Sequence, residues 1–326
     1  MINDKEFDNK FNFVIEIFKK WMPKNFDFSK SVIMDFGCEF GIMALAIALK
    51  LKPKKVIGVD INSYHNQLLD MVKGQLNISY LPENLEFHQT LPNENLSKKF
   101  KVDVVFSWST FEHINRPYLE EIIRELNNCL SESGLIFIQI APLYYSAFGS
   151  HLNSLINEPW AHLLMQNNLF RHAAMNVPKH DTVYKNEQDE NYQRIKEATW
   201  SCYETLNKIT ADELIELLES NGFKLLQQIR TMCDIKPPQR LRRIFHDEIL
   251  STEQIVALFQ KTAPIPKQYN HPQKEVIAHI PCSNHPLGGR KFGEGGYLRR
   301  KLDLIRCSHS WRLARALARR LSDVFR

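Results

Sequence analysis

Residues 31–41 read SVIMDFGCEFG, and residues 55–60 read KVIGVD. Each opens as a short apolar run of the kind that lies buried on both faces of a sheet. The first run ends at Asp35-Phe36 and passes through Gly37 and Gly41 into GIMALAIALKL, residues 41–51, a strong helix pattern. The second ends at Asp60 and is followed by a helical pattern from Tyr64 to Lys73. Outward from this pair, Phe7 to Trp21 carries apolar residues at helical spacing, and Leu85–His88 is a brief third run. Val102–Trp108 (VDVVFSW) is a fourth run, Pro117–Leu130 a helix, and Leu135–Ala141 (LIFIQIA) a fifth run. Short apolar runs alternating with longer helical patterns predict βαβ units, hence an α/β fold with a doubly wound, mostly parallel sheet.

The rhythm breaks after Pro142. Residues 143–205 are rich in His, Asn, Trp and Tyr and hold no comparable run, so a helical lid inserted after the fifth strand is expected there. Order returns where Thr210 and Glu213 form a capping box, a helix ends at Asn221-Gly222, and Phe223–Arg230 reads as a strand. From there to Pro272 the chain reads as Pro-rich and helical, and Glu275–Ile280 (EVIAHI) reads as the last of seven strands. The reading divides the chain into a domain over 1–283 and an appendage over 284–326.

With 326 residues, 44% of them hydrophobic and 24% charged, and only 12 Gly and 15 Pro, the composition excludes disordered and fibrous classes. The net charge of +5 is unevenly placed. From Pro286 to Arg326 eleven Lys or Arg face three Asp or Glu, a net of +8 that leaves the first 285 residues at −3. Six scattered cysteines form no CxxC pair and fit buried thiols in a reducing compartment. The N-terminus MINDKEFDNKFNF has no signal-peptide apolar region, and no stretch approaches the roughly 20 apolar residues of a membrane span. A cytoplasmic protein is expected.

The glycine loop Asp35-Phe36-Gly37-Cys38-Glu39-Phe40-Gly41 falls at the carboxyl edge of the sheet, where ligands bind in such folds. Asp60 follows Gly41 by 19 residues, where an acid can accept hydrogen bonds from both hydroxyls of a ribose. The fingerprint G-x-G-x-x-G of nicotinamide-dependent dehydrogenases is absent, because the loop's glycines are Gly37 and Gly41 only. The strings VIMDFGCEFGIMALAIA, VIGVDIN, VDVVFSWSTFEHI and LSESGLIFIQIAP together resemble class I S-adenosylmethionine-dependent methyltransferases, in the broad group whose fourth strand ends in a Glu-His pair. The resemblance covers about Ser31 to Ile229, plus the antiparallel strand expected near Glu275, and implies a Rossmann-like methyltransferase fold with S-adenosylmethionine as cofactor. It implies that Asp35, Gly37 and Gly41 shape the pocket for the methionine part and ribose, that Asp60 holds the ribose hydroxyls, and that Ile61 packs on the adenine. It places Gln89 and Thr90 at the adenine edge, and Ser107 and Trp108 towards the cofactor's carboxylate and sulfonium. Glu39 departs from the glycine usual at the middle of the loop; its carboxylate either crowds the cofactor or meets its positive charge.

Methyl transfer from a sulfonium needs chiefly alignment, and a hydroxyl nucleophile gains from a base to take its proton. The candidate bases are His151 and His162, beyond the fifth strand, and His113 of the Glu112-His113 pair. Tyr144, Tyr145 and Trp160 offer flat surfaces for a sugar ring or other planar ligand, and Tyr203 and Thr205 are further candidates for the acceptor pocket. His162, His172, His180 and Asp181 match no metal-ligand spacing, and no metal is expected.

In the appendage, Leu313, Leu317, Leu321 and Val324 recur at helical spacing among Arg312, Arg315, Arg319, Arg320 and Arg326, a basic amphipathic C-terminal helix. It suits either docking on protein or peripheral contact with an anionic membrane, at the inner membrane face; the rest of the chain shows no nucleic-acid-binding surface. The string Ser308-His309-Ser310-Trp311-Arg312-Leu313 resembles the C-terminal Ser-Trp-Arg-Leu tail of bacterial surface-polysaccharide glycosyltransferases and of methyltransferases that travel with them. The expected function is therefore O-methylation of a saccharide or surface-glycan precursor. The alternatives are methylation of another small molecule, such as a quinone or natural product, or a non-catalytic binding or scaffold protein that keeps the fold. Oligomeric state is open.

Overall fold

The computed structural model describes Ile2 and residues 4–262 apart from Asn93 and Val183. Seven strands form one sheet: β1 (Val32–Phe36), β2 (Lys55–Asp60), β3 (Leu85–Gln89), β4 (Val102–Trp108), β5 (Leu130–Ile140), β6 (Phe223–Met232) and β7 (Thr252–Lys261). Their spatial order is β3-β2-β1-β4-β5-β7-β6. The pairs among β1–β5 are parallel, and β7 runs antiparallel to both β5 and β6. The registers Asp35↔Gly58, Asp60↔Gln89 and Trp108↔Gln139 bring the carboxyl ends of β1–β5 to one edge. Between β1 and β4 the winding reverses, which opens a crevice at that edge.

Helices cover both faces. The N-terminal helix is α1 (Lys5–Asp8), a π-helical turn over Asn9–Phe13, and α2 (Val14–Trp21). It shares one core with α3 (Ile42–Ala46), whose end is a second π turn over Ile47–Leu51, and with α4 (Leu68–Leu76). Phe18 lies 5.0 Å from Phe106 and 5.4 Å from Phe137, centroid to centroid. Burying Phe18 and Trp21 contributes roughly 1.5–3 kcal/mol each. On the other face α5 (Arg116–Cys129) packs its Leu119, Ile123 and Leu126 against Met34, Val105 and Ile136.

After β5 come α6 (Ala161–Leu164), α7 (Asn167–Asn176) and α8 (Asp189–Glu204), then α9 (Ala211–Ser220), which opens with the expected Thr210–Glu213 capping box. The lid region has a core of its own, built from Phe170, Tyr184, Tyr192, Trp200 and Tyr203. Short helices α10 (Gln239–Arg242) and α11 (Asp247–Ser251) link β6 to β7.

One strand departs from expectation. The place between β5 and β6 is filled by β7, TEQIVALFQK, within the stretch expected to be helical. Its residues Ile255–Phe259 are all buried, so they carry neither a two-residue nor a helical period, and the run alone does not separate strand from helix. The expected strand Glu275–Ile280 and the basic appendage lie outside the described residues.

Candidate active site

The loop after β1 holds three left-handed residues in five: Gly37 (φ 81°), Glu39 (φ 51°) and Gly41 (φ 79°). A side chain at Gly37 would meet Thr110 Oγ1 at 2.2 Å, and one at Gly41 would meet the Phe87 ring at 2.5 Å. Both glycines therefore serve close packing as well as the turn. Amides of Gly37 and Cys38 donate to the Val59 carbonyl at 2.9 and 3.1 Å, tying the loop to β2. The Glu39 amide donates to Asp60 Oδ2 at 2.8 Å. Asp60 Oδ1 accepts from the Asn62 amide at 2.8 Å and from its side chain at 3.2 Å, so the acid is fixed by three donors.

Around Asp60 the expected residues converge. The Thr90 amide donates to the Asp60 carbonyl at 2.9 Å, and Gln89 Nε2 to the Ile61 carbonyl at 3.1 Å. The Ile61 side chain is 57% exposed and Leu91, leaving β3 at the same edge, is exposed as well. Asp35 is fully buried beneath the loop; burial, then the Asp60 charge, pushes its carboxyl up to about 8, which favours its protonated form. Ser107 is also fully buried, its hydroxyl bonded to the Phe36 carbonyl at 3.0 Å across the switch point. Trp108 is buried with its ring 6.4 Å from Phe137, so both residues back the crevice from inside.

Glu39 does not stand alone. Lys10 Nζ, from the first π turn, lies 3.1 Å from Glu39 Oε2 and 3.3 Å from Glu6 Oε1. Burial works against the Lys10 charge, but Glu39 and Glu6 outweigh it and raise its pKa. Burial pushes Glu6 up to about 7, partly offset by Lys10. Neither Lys10 nor Glu6 carried a sequence signal.

The second group lies at the ends of β4 and β5. Thr110, against Gly37, begins the turn that carries Glu112 and His113. The His113 ring stands edge-on to His151 at 5.3 Å, and its Nδ1 is 3.8 Å from Cys202 Sγ. His151 Nε2 faces the Pro142 carbonyl at 3.0 Å, and His162 Nε2 the Tyr144 carbonyl at 2.6 Å. A carbonyl only accepts, so each Nε2 carries the proton and Nδ1 the lone pair. Burial pushes both rings down to about 4, keeping them neutral. Tyr144 and Tyr203 place their hydroxyls 3.5 Å apart, and Lys208 Nζ sits 5.1 Å from the Tyr144 ring. Burial pushes Glu112 up to about 8.

Some expectations change. Trp160 is fully buried and donates from Nε1 to the Tyr145 carbonyl, so it presents no stacking face; Tyr145 keeps part of its surface and packs on Phe245. His172 bonds to Asn176 and His180 pairs with Asp181. Among the described residues no group of three metal-ligating side chains gathers. Glu112, read from sequence only as His113's neighbour, is a buried acid whose pKa burial raises; Ser109, at φ 52° and bonded to Gln139, gave no signal at all.

A family model described as a methyltransferase domain matches residues 9–228, about two-thirds of the chain. The chain belongs to that family. The left-handed glycine cradle, the fixed acid Asp60 and the exposed apolar Ile61 suit a nucleoside at this edge. The methyltransferase is 35% identical over 89 residues to a release factor glutamine methyltransferase of Aliivibrio fischeri, covering 27% of this chain and 30% of that one. It is 44% identical over 71 residues to a ribosomal protein L11 methyltransferase of Shewanella denitrificans, covering 20% and 23%. It thus spans less than a third of the curated relatives it matches. Among solved structures it is similar to an S-adenosylmethionine-dependent methyltransferase of Mesorhizobium loti, at 12% identity and TM-score 0.45, covering 76% of this chain and 98% of that one. Among the described residues, no helix of the methyltransferase is long and apolar enough to cross a membrane.

Proposed function

We propose that the methyltransferase O-methylates a hydroxyl of a saccharide or surface-glycan precursor. One observation carries the hydroxyl: at and beyond the ends of β4 and β5, a buried acid, imidazoles and phenols gather where burial disfavours their charged forms. Burial pushes Glu112 up to about 8 and His151 and His162 down to about 4, and it raises the phenols of Tyr144 and Tyr203. Such groups donate and accept hydrogen bonds in their neutral forms, which suits a polyhydroxyl acceptor. The glycan class is supported by the Ser-Trp-Arg-Leu string in the appendage. The partial relatives act, by their names, on proteins, and their match covers about a quarter of the chain.

Asp60 would hold the ribose, with Ile61, Gln89 and Thr90 along the adenine and Asp35, Gly37, Glu39 and Gly41 shaping the methionine end. When bound, S-adenosylmethionine supplies an electrophilic methyl on a sulfonium, open to in-line attack. His113 would take the acceptor's hydroxyl proton, and neutral His151 would orient its ring. His113 is assigned this role because its turn packs on Gly37 through Thr110, whereas His151 and His162 hold backbone carbonyls and are weak bases. The basic appendage would place the enzyme at an anionic membrane surface, where lipid-linked precursors reside.

The test is methyl transfer from labelled donor to free glycosides, lipid-linked saccharides, a quinol and a release-factor peptide. Alkali-stable label in the saccharides, lost in the His113→Ala variant, is expected. Label confined to peptide or quinol would refute the acceptor assignment.

A further inference from the structure

The Lys10–Glu39 pair joins an N-terminal helix to the donor loop, and its geometry gives Lys10 a role in donor binding. Glu39 adopts φ 51°, a conformation that favours glycine, so its place in the loop is held against backbone strain. Its amide is a donor to Asp60 Oδ2 at 2.8 Å, so the angle of the ribose acid depends on Glu39 staying in place. Its carboxylate is held by Lys10 Nζ at 3.1 Å, with the same ammonium 3.3 Å from Glu6. The Lys10 side chain is only 15% exposed, so the pair is poorly screened by solvent.

The π turn Asn9–Phe13 is what presents Lys10 to the loop, and the second π turn, Ile47–Leu51, secures the same helix from the far end of α3. There Lys50 Nζ donates to Asn12 Oδ1 at 2.6 Å and sits 5.4 Å from the Phe11 ring. The N-terminal helix thus grips both ends of the α3 segment, and π turns of this kind recur at functional sites. Without Lys10, the Glu39 carboxylate would lose the ammonium that it shares with Glu6, and the two acids would repel, which shifts the loop and the amide that Asp60 accepts from.

We propose that Lys10 is a positioning residue for the methyl donor, acting through Glu39 on Asp60. The proposal rests on the donor site described above. Its signature is a dependence that disappears when Glu39 has no side chain. Donor titration of the full-length protein by calorimetry, with thermal melting in parallel, compares wild type, K10M, K10R, E39G and K10M/E39G. Breaking a largely buried ion pair on one side should weaken donor binding about tenfold or more in K10M, with K10R restoring most of it. In the E39G background the same K10M change should alter donor affinity by less than about threefold. An equal loss in both backgrounds would overturn the proposal, since Lys10 would then only be fastening the helix. If K10M does not fold alone, a K10M/E39G protein that folds and binds donor as E39G does supports the proposal, and one that also fails to fold overturns it. Wild type binding donor with K10M unaffected overturns the proposal alone; wild type binding no donor overturns the donor site with it.

Discussion

The amide of Glu39 and the carboxylate of Asp60, 21 residues apart, are joined by a 2.8 Å hydrogen bond across the first two βα turns. This bond makes the glycine loop and the ribose acid one unit, so damage to either should appear as lost donor affinity. Removing the acid in Asp60→Ala should weaken S-adenosylmethionine binding about 10–100-fold, the range for hydrogen bonds to a charged group. Asp60→Asn keeps one acceptor oxygen and should fall between. Calorimetric titration distinguishes the three proteins, and equal affinities would show that the ribose is held elsewhere.

The glycines make a separate prediction about stability. Gly41→Ala must accept φ 79° and a methyl carbon 2.5 Å from the Phe87 ring. Left-handed strain and overpacking together should destabilise the fold by roughly 2–5 kcal/mol in urea unfolding. Trimming the obstacle with Phe87→Leu in the same chain should return part of that loss, leaving the backbone share. Full additivity of the two changes would show that the clash is not what matters.

Stability should also depend on pH with two opposite slopes. His151 and His162 have folded pKa values of about 4 against an ordinary 6.5, so the unfolded chain binds more protons in between. Their contribution is complete above 6.5 and is lost as pH falls towards 4. Asp35 and Glu112 behave in the reverse sense, with folded values of about 8. Their contribution is complete below the ordinary carboxylate range and is lost as pH rises towards 8. Melting temperatures across this range should therefore fall less steeply on the acid side in His162→Gln and less steeply on the alkaline side in Glu112→Gln. Parallel curves for wild type and both variants would show that these groups titrate alike in the folded and unfolded chains.

How much of this was legible beforehand follows from the reach of each interaction. β1, β2 and β4 are apolar runs bounded by turn residues, and the acid ending β2 lies at a set distance from the glycines, so both the sheet and the donor loop could be read locally. β7 could not, because a strand buried on both faces has no period to distinguish it from a short helix. The fate of Trp160 was hidden for another reason. An aromatic residue looks the same in sequence whether it faces a ligand or, as here, fills the interior of a lid. Lys10 was illegible because its significance depends on a π turn and on a partner 29 residues away. The raised pKa of Glu112 arises from burial under elements far along the chain, among them Asn207, whose amide donates to the Glu112 carbonyl at 3.0 Å.

The charge asymmetry leads to a test independent of the chemistry. The last 41 residues carry a net of +8 on an otherwise slightly acidic chain. Full-length protein should co-sediment with vesicles containing phosphatidylglycerol and release as salt rises, while a chain truncated at Gly289 should stay in the supernatant. Equal pelleting of the two would remove the membrane role.

The central claim is that the site at the carboxyl ends of β1 and β2 binds S-adenosylmethionine for methyl transfer. Titrating the full-length wild-type protein with S-adenosylmethionine in a calorimeter tests it most directly. The account predicts saturable binding at one site per chain, weakened in Asp60→Ala. The absence of binding at millimolar donor, with the protein folded, would contradict it.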